Sequence, residues 1–315
     1  MRIVIALGGN ALLPKGGKGT ASEQLDAAKK AVGQIGHILK QNQVVLTHGN
    51  GPQVGNLLLQ QSTNKEVPEM PLDVLDAMTQ GQIGYFIASA ISMTGFHSAT
   101  LVTRVVVDEN DPAFKNPTKP IGPFYDSLPK TTSQQNAKSK TGNSTLKTEN
   151  PKQETSYIMD AGRGYRLVVP SPEPIKIREH DAISALLEKE FVVIAVGGGG
   201  IPIKSNGEGL EAVIDKDNAT SLLASQINAE LLVFVTSVDQ VYLNFGKEDQ
   251  KAIAKINMHE AEEYAAAGHF AEGSMKPKIA SVIKFIKNGG KKAVICSINN
   301  IKDAIEGKGG TVITQ

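Results

Sequence analysis

The chain has 315 residues, 40% of them hydrophobic, enough to bury a substantial core in one large domain or two modest ones. Thirty-three basic against thirty-two acidic residues leave a formal charge of +1, so no overall field draws it to nucleic acid or to an anionic membrane, and small, locally bound partners are expected. One cysteine excludes an intramolecular disulfide and suits a reducing, cytoplasmic compartment, and no apolar run is long enough to span a bilayer.

In chain order, Ile3 to Leu7 reads as a buried strand, too short for a signal h-region, that runs straight into Gly8-Gly9-Asn10. Leu25, Ala28, Val32, Ile35 and Leu39 then mark one face of a helix. Val44 to Thr47 is a second strand and leads into Gly49-Asn50-Gly51-Pro52. Ala99 to Val107 is read as a third, and Phe191 to Val196, followed by Gly197 to Gly200, as a fourth. Ala212 to Thr220 places Asp215, Lys216 and Asp217 before a helix marked by Ala219, Leu222, Leu223 and Ile227, with Asp217 as its expected cap. Leu231 to Thr236 is a strand delivering Thr236-Ser237-Val-Asp239-Gln-Val-Tyr242 to its end. Gly273 to Lys278, with Pro277 in the first turn, opens a helix marked by Ile279, Val282, Ile283 and Ile286. Ala293 to Ile298 is a last strand, in which Cys296 is expected to be buried.

Strand and helix alternate, which requires crossover connections and a largely parallel sheet covered on both faces. The expected fold is an α/β three-layer αβα sandwich over residues 1–315. Asn110 to Ser156 breaks the rhythm, being rich in Pro, Lys, Thr, Ser, Gln and Asn. Thr118 to Tyr125 has proline and aromatic anchors that can order it, whereas Thr131 to Glu154 has almost nothing to bury. The stretch is expected to form a small lid, about 110–166, with a mobile tip; a plain linker is the alternative from composition.

Glycine clusters at 8–9, 49–51 and 197–200 follow predicted strands, where backbone N–H groups can approach an anion beyond the carboxyl end of an open sheet. Together they point to phosphate-like ligands. There is no G-x-x-x-x-G-K-[ST] and no protein-kinase catalytic loop, and Gly49, Gly51 and Gly55 are one residue too widely spaced for the dinucleotide fingerprint. No His/Cys cluster has metal-ligand spacing, and no G-x-S-x-G elbow occurs.

The strings ALGGNALL, VLTHGNGPQVGNLLLQQ, MTQGQIGYF, NPTKPIGPFY, DAGRGYRLVVPSP, AVGGGGIP, EAVIDKD and GSMKPK resemble those of carbamate kinases, in order and over nearly the whole chain. The resemblance implies the amino-acid-kinase fold, with the phosphoryl acceptor bound by the N-terminal half and the nucleotide by about 175–315. It implies ATP or ADP with Mg²⁺ held through the phosphates, no metal bound by the protein alone, and a homodimer. It assigns Lys216 and Lys278 to the phosphoryl group in flight and Lys119 to closure over carbamoyl phosphate. Asp217 would orient the lysines, a role that Asp215 could share or replace. Gly8, Gly9, Asn10, Gly49, Asn50, Gly51, Gly198 and Gly199 would bind substrate, with Arg163 reaching it from the base of the lid. Thr236, Ser237, Asp239, Tyr242, Met275 and Lys278 would hold the nucleotide. Two departures are a longer polar stretch after Tyr125 and Tyr165 where tryptophan is expected. A kinase of the same fold acting on a larger amino-acid carboxylate, and a non-catalytic sensor of nucleotide or carbamoyl phosphate, are the competing readings.

Overall fold

The structure is a computed structural model and describes residues 1–13, 17–63, 66–128, 144–147, 154–159, 164–271 and 275–315. Its strands through the first half are β1 (Arg2–Leu7), β2 (Gln43–His48), β3 (Ser98–Thr100), β4 (Arg104–Val106), β5 (Lys119–Tyr125), β6 (Ser144–Lys147), β7 (Glu154–Met159), β8 (Tyr165–Val169) and β9 (Lys176–Ile177). The second half supplies β10 (Val192–Ile194), β11 (Ile201–Ile203), β12 (Leu231–Thr236), β13 (Val241–Leu243), β14 (Lys251–Ile253), β15 (Lys255–Asn257), β16 (Lys292–Ser297) and β17 (Thr311–Thr314). The helices are α1 (Gly9–Leu12), α2 (Ala21–Leu39), α3 (Gly51–Thr63), α4 (Leu72–Ser92), α5 (His180–Glu188), α6 (Lys216–Gln226), α7 (Met258–Ala266), α8 (Met275–Lys287) and α9 (Ile301–Ile305).

Eight strands form the central sheet in the order β15-β17-β16-β12-β1-β2-β10-β3, and only the β16–β17 pairing is antiparallel. Successive side chains on a strand point to opposite faces, and both faces here are apolar. Val4 and Ala6 of β1 enter a core with Leu223 of α6 and Val282 of α8, whereas Ile3, Ile5 and Leu7 enter another with Val32 of α2 and Ile87 of α4. The expected three-layer α/β sandwich is therefore the observed one. The predicted helix faces are also the buried ones: Ala28, Val32, Ile35 and Leu39 on α2, and Ile279, Val282, Ile283 and Ile286 on α8. Thr20 starts α2 with a capping box completed by Glu23. Cys296 is buried in β16, and burial pushes its thiol up to about 12.

One predicted strand is two. The run Ala99 to Val107 divides into β3, at the edge of the central sheet, and β4, in a three-stranded sheet ordered β11-β4-β9. The break is made by Thr103, whose backbone N–H donates to Gln80 Oε1 at 2.7 Å and whose carbonyl accepts from Gln80 Nε2 at 3.1 Å. The Gln80 side chain on α4 takes the place of a strand partner at the Thr103 N–H, while the carbonyl also accepts from the Ile201 N–H at 2.9 Å as pairing with β11 begins, so the chain changes sheets here.

The region of the anticipated lid contains a separate four-stranded sheet in the order β5-β8-β7-β6, antiparallel throughout. Most of the expected mobile tip, including 131–143 and 148–153, lies outside the described residues. At its foot the sheet touches α3 closely: a Cβ on Gly55 would stand 2.4 Å from Gly122 Cα, so only glycine fits there. Arg166 Nε of β8 donates to the Gly122 carbonyl at 3.0 Å and fixes the same point from the other side. Among the described residues, no helix is long and apolar enough to cross a membrane.

Candidate active site

The parallel strands β1, β2, β10 and β12 end at one edge of the central sheet, and a cleft of about 1070 Å³ opens beyond them. Gly8, Gly9, Gly49, Asn50 and Gly51 line it from the turns after β1 and β2. A Cβ on Gly8 would come 2.9 Å from the Val235 carbonyl of β12, and one on Gly49 would come 3.6 Å from Gly9 N. The turns are thus packed backbone to backbone, which brings amide groups to the cleft without side chains in the way. Asn10 lies within α1.

Lys119, at the start of β5, and Lys216 and Lys278, near the starts of α6 and α8, line the same cleft. Two aspartates hold the three lysines. Lys278 Nζ donates to Asp217 Oδ2 at 2.7 Å, and Lys216 Nζ stands 3.0 Å from Asp217 Oδ1. Lys119 Nζ donates to Asp215 Oδ2 at 2.6 Å. Neither Asp215 nor Asp217 is among the cleft's described lining residues; each bonds a lysine that is.

The helix cap differs from expectation. Asp215, not Asp217, is the N-cap of α6, its Oδ1 accepting from the N–H groups of Asp217 at 2.9 Å and Asn218 at 3.3 Å. The reason is phase: Asp215 is still extended, Lys216 is the first helical residue, and Asp217 falls inside the first turn. This frees the Asp217 carboxylate for the lysines. Burial acts to raise the Asp217 carboxyl, but the charges of Lys216 and Lys278 outweigh it and hold the group well below the usual carboxylate range. Burial also lowers the Lys216 ammonium from its ordinary value, against the opposing pull of Asp217.

The contact between Lys216 Nζ and Asp217 Oδ1 is an ion pair whose angles do not make a hydrogen bond, and both atoms are buried without a hydrogen-bond partner among the described residues. Lys216 Nζ thus keeps donor capacity beyond its ion pair, in a cleft whose described lining carries Lys119, Lys278 and Arg166 and no carboxylate.

Behind the Gly49–Gly51 turn, α4 buries a polar face in an otherwise apolar helix: Asp76, Thr79 and Gln80 are each no more than 1% exposed. Asn50 Nδ2 donates to both Asp76 Oδ1 and Thr79 Oγ1, each at 2.9 Å. Gly198, with φ +69°, lies on the Asn50 amide so closely that a Cβ would meet Nδ2 at 2.3 Å. Gly199 does not line the cleft; it packs beneath it, where a Cβ would meet the Ile214 carbonyl at 2.3 Å. Val196, just before, holds φ +53°, a strained conformation for a β-branched residue, and its N–H donates to Thr103 Oγ1 at 3.0 Å. His48 is buried at the end of β2 and burial lowers it to about 4, so its ring is neutral beside Lys216.

Of the residues expected to hold the nucleotide, Thr236 and Ser237 line the cleft. Asp239, Tyr242 and Met275 are not among its described lining residues: Asp239 accepts from the Ser297 hydroxyl, Tyr242 packs with Phe245 at 5.7 Å between ring centroids, and Met275 joins the larger core. Arg163 lies outside the described residues, while Arg166 is in the lining, its guanidinium 5.0 Å from the Phe124 ring centroid. Sequence reasoning missed Arg166, Asp76, Thr79 and Gln80. The last three carried one legible signal, polar residues at helical spacing i, i+3 and i+4 within the apolar run around MTQGQIGYF.

The profile of the Amino acid kinase family matches residues 1–297. The carbamate kinase of Thermococcus kodakarensis is 45% identical across 100% of this chain and 99% of its own, and that of Oenococcus oeni is 43% identical across 100% and 99%. The solved structure of carbamate kinase from Giardia lamblia bound to AMP-PNP superposes with a TM-score of 0.86 at 40% identity, covering 99% of this chain and 98% of that one.

Proposed function

The chain belongs to the amino acid kinase family, and within it to the carbamate kinases, and from that premise we propose that the cleft transfers a phosphoryl group between carbamate and the terminal phosphate of ADP and ATP. The observation that carries the assignment of residues is the lysine cluster: Lys216 and Lys278 share the single buried carboxylate of Asp217, with Lys119 opposite on β5.

Phosphoryl transfer spreads negative charge over the equatorial oxygens of the group in flight and needs donor and acceptor in line. Lys216 and Lys278, held by Asp217 at the N-terminal ends of two helices, offer fixed positive charge where that charge develops. The backbone of the Gly8–Gly9 and Gly49–Gly51 turns binds the carbamoyl and phosphoryl ends. Lys119 closes over them from the four-stranded sheet, which acts as the lid, with residues about 110–166 as its extent. The nucleotide lies over β12 against Thr236 and Ser237, with the remainder of the 175–315 half. Run toward ATP, the reaction attacks the phosphorus of carbamoyl phosphate with the ADP β-phosphate oxygen and releases carbamate, which breaks down to ammonia and CO₂.

Magnesium fits this site as a passenger of the nucleotide. Among the described residues no group of three His, Cys, Asp or Glu side chains could hold a metal, and Asp215 and Asp217 are engaged by lysines. When bound, the ion neutralises charge on the phosphates; the protein's own contribution remains the lysines and turns.

The homodimer and a cytoplasmic location belong to the same proposal. Val74, Met78 and Tyr85, at 36%, 48% and 67% exposure, form an apolar stripe along the outer face of α4, suited to a second copy of the helix. A single cysteine, buried in β16 with no partner for a disulfide within the chain, accords with a reducing compartment. A coupled ATP assay with carbamoyl phosphate and Mg·ADP, beside acetylglutamate and glutamate with Mg·ATP, tests the chemistry. Activity confined to the amino-acid substrates would overturn it; sedimentation as a monomer would overturn the dimer alone.

A further inference from the structure

Asn50 lines the acceptor side of the cleft, yet its amide nitrogen is turned away from it. The Thr79 hydroxyl fixes that direction. Its hydrogen is donated to the Asp76 carbonyl at 2.9 Å, one turn back on α4, so its oxygen can only accept, and what it accepts is one of the two Asn50 amide hydrogens. The other goes to Asp76 Oδ1. With both hydrogens committed to α4, the amide has only its oxygen left to offer, and Gly198 packs on it so closely that any side chain there would displace it. Burial raises the Asp76 carboxyl to about 8, so near neutrality it brings little negative charge toward an anionic substrate.

Carbamate and acetate have nearly the same shape; they differ in that one ends in an N–H donor pair and the other in a methyl group. An enclosed acceptor rewards the first and is left unpaired by the second. We propose that Asp76 and Thr79 are positioning residues that orient Asn50 so that its Oδ1 accepts from the carbamoyl nitrogen, which makes Asn50 the residue that distinguishes a carbamoyl from an acyl phosphate. The proposal rests on the reading above that Asn50 faces the phosphoryl acceptor.

The test is the ratio of kcat/KM for carbamoyl phosphate to that for acetyl phosphate, each with Mg·ADP, in the intact protein. Asn50→Ala is expected to lower the ratio by about tenfold or more, because carbamoyl phosphate loses a contact that acetyl phosphate never makes. Asp76→Ala is expected to lower it similarly and to add nothing further in the Asn50→Ala background. Asp76→Asn, which keeps an acceptor oxygen for Asn50, should restore it. Thr79→Val, of the same volume, should lower it less, and it decides the matter if Asp76→Ala does not fold. An unchanged ratio in Asn50→Ala overturns the placement of Asn50 at the acceptor. A lowered ratio in Asn50→Ala with wild-type ratios in Asp76→Ala and Thr79→Val leaves that placement standing and overturns the positioning role.

Discussion

Asp215 and Lys119 meet at 2.6 Å from opposite walls of the cleft, one the cap of α6 and the other the first residue of the β5 strand. One carboxylate thereby performs two tasks with different oxygens, Oδ1 holding the helix N-terminus and Oδ2 holding the β5 lysine. Asparagine caps a helix about as well as aspartate, so Asp215→Asn separates them. Both side chains are partly exposed, so the pair adds about 1 kcal/mol or less to stability and the melting temperature should change little. The KM for carbamoyl phosphate should rise a few-fold, roughly the value of one partly exposed charged contact. A large drop in melting temperature with unaltered KM would make the residue a cap and nothing more.

Lys216→Met and Lys278→Met keep most of the side-chain volume and remove the charge. Each should lower turnover by about 10²-fold or more, the scale set by removing one preorganised donor, in protein whose circular dichroism is unchanged. Near wild-type turnover in both would move the phosphoryl site elsewhere.

Asp217→Asn leaves two ammonium groups facing each other without their shared anion. Because Asp217 is buried and not the helix cap, the loss falls on the charge cluster, and a destabilisation on the order of 3 kcal/mol is expected. Turnover should fall more than ADP affinity, since orientation of the lysines matters most when charge develops on the group in flight. Calorimetric ADP binding together with steady-state rates checks this; equal losses in both would argue for simple nucleotide contact.

Stability should vary with pH in a way that Asp76 and His48 set in opposition. Burial raises Asp76 from 3.8 to about 8, so between those values the folded chain keeps a proton that the unfolded chain has released, and stability falls as pH rises. Burial lowers His48 from 6.5 to about 4, so across that window the unfolded chain takes up a proton that the folded one refuses, and stability falls as pH drops. The two slopes oppose each other between about 4 and 6.5, and Asp76 acts alone from there to about 8. Asp76→Asn removes the falling limb: its advantage over the parent should grow by on the order of 1 kcal/mol per pH unit across that range and level off above it. Urea titrations at several pH values measure this, and an advantage that does not vary with pH would refute the assignment.

Much of this was legible in the chain itself because apolar periodicity reports burial directly. The strands at Ile3 to Leu7 and Leu231 to Thr236, and the faces of α2 and α8, follow from which residues avoid water. The division of Ala99 to Val107 was not, since it depends on the Gln80 side chain, twenty-three residues away, replacing a strand partner of Thr103. Capping had the same difficulty on a smaller scale. Asp215 and Asp217 are both good cap residues, and only the phase of the first helical turn separates them. The site followed a similar divide: Lys216 and Lys278 stand in recognisable strings, but the polar face of α4 acquires meaning only when Asn50 is folded against it.

The contact of Gly55 with Gly122 makes the foot of the four-stranded sheet a fulcrum rather than a hinge with play in it. Lys119 lies three residues from that pivot, about 10 Å along an extended strand. A swing of the sheet by about 10° would therefore carry its backbone less than about 2 Å, within what a lysine side chain can absorb by changing rotamer. Such a swing would widen or narrow the mouth of the cleft and leave the lysine charge within it. Access and charge placement would then be mechanically separate, the first set by leverage about Gly122 and the second by the Lys119–Asp215 pair.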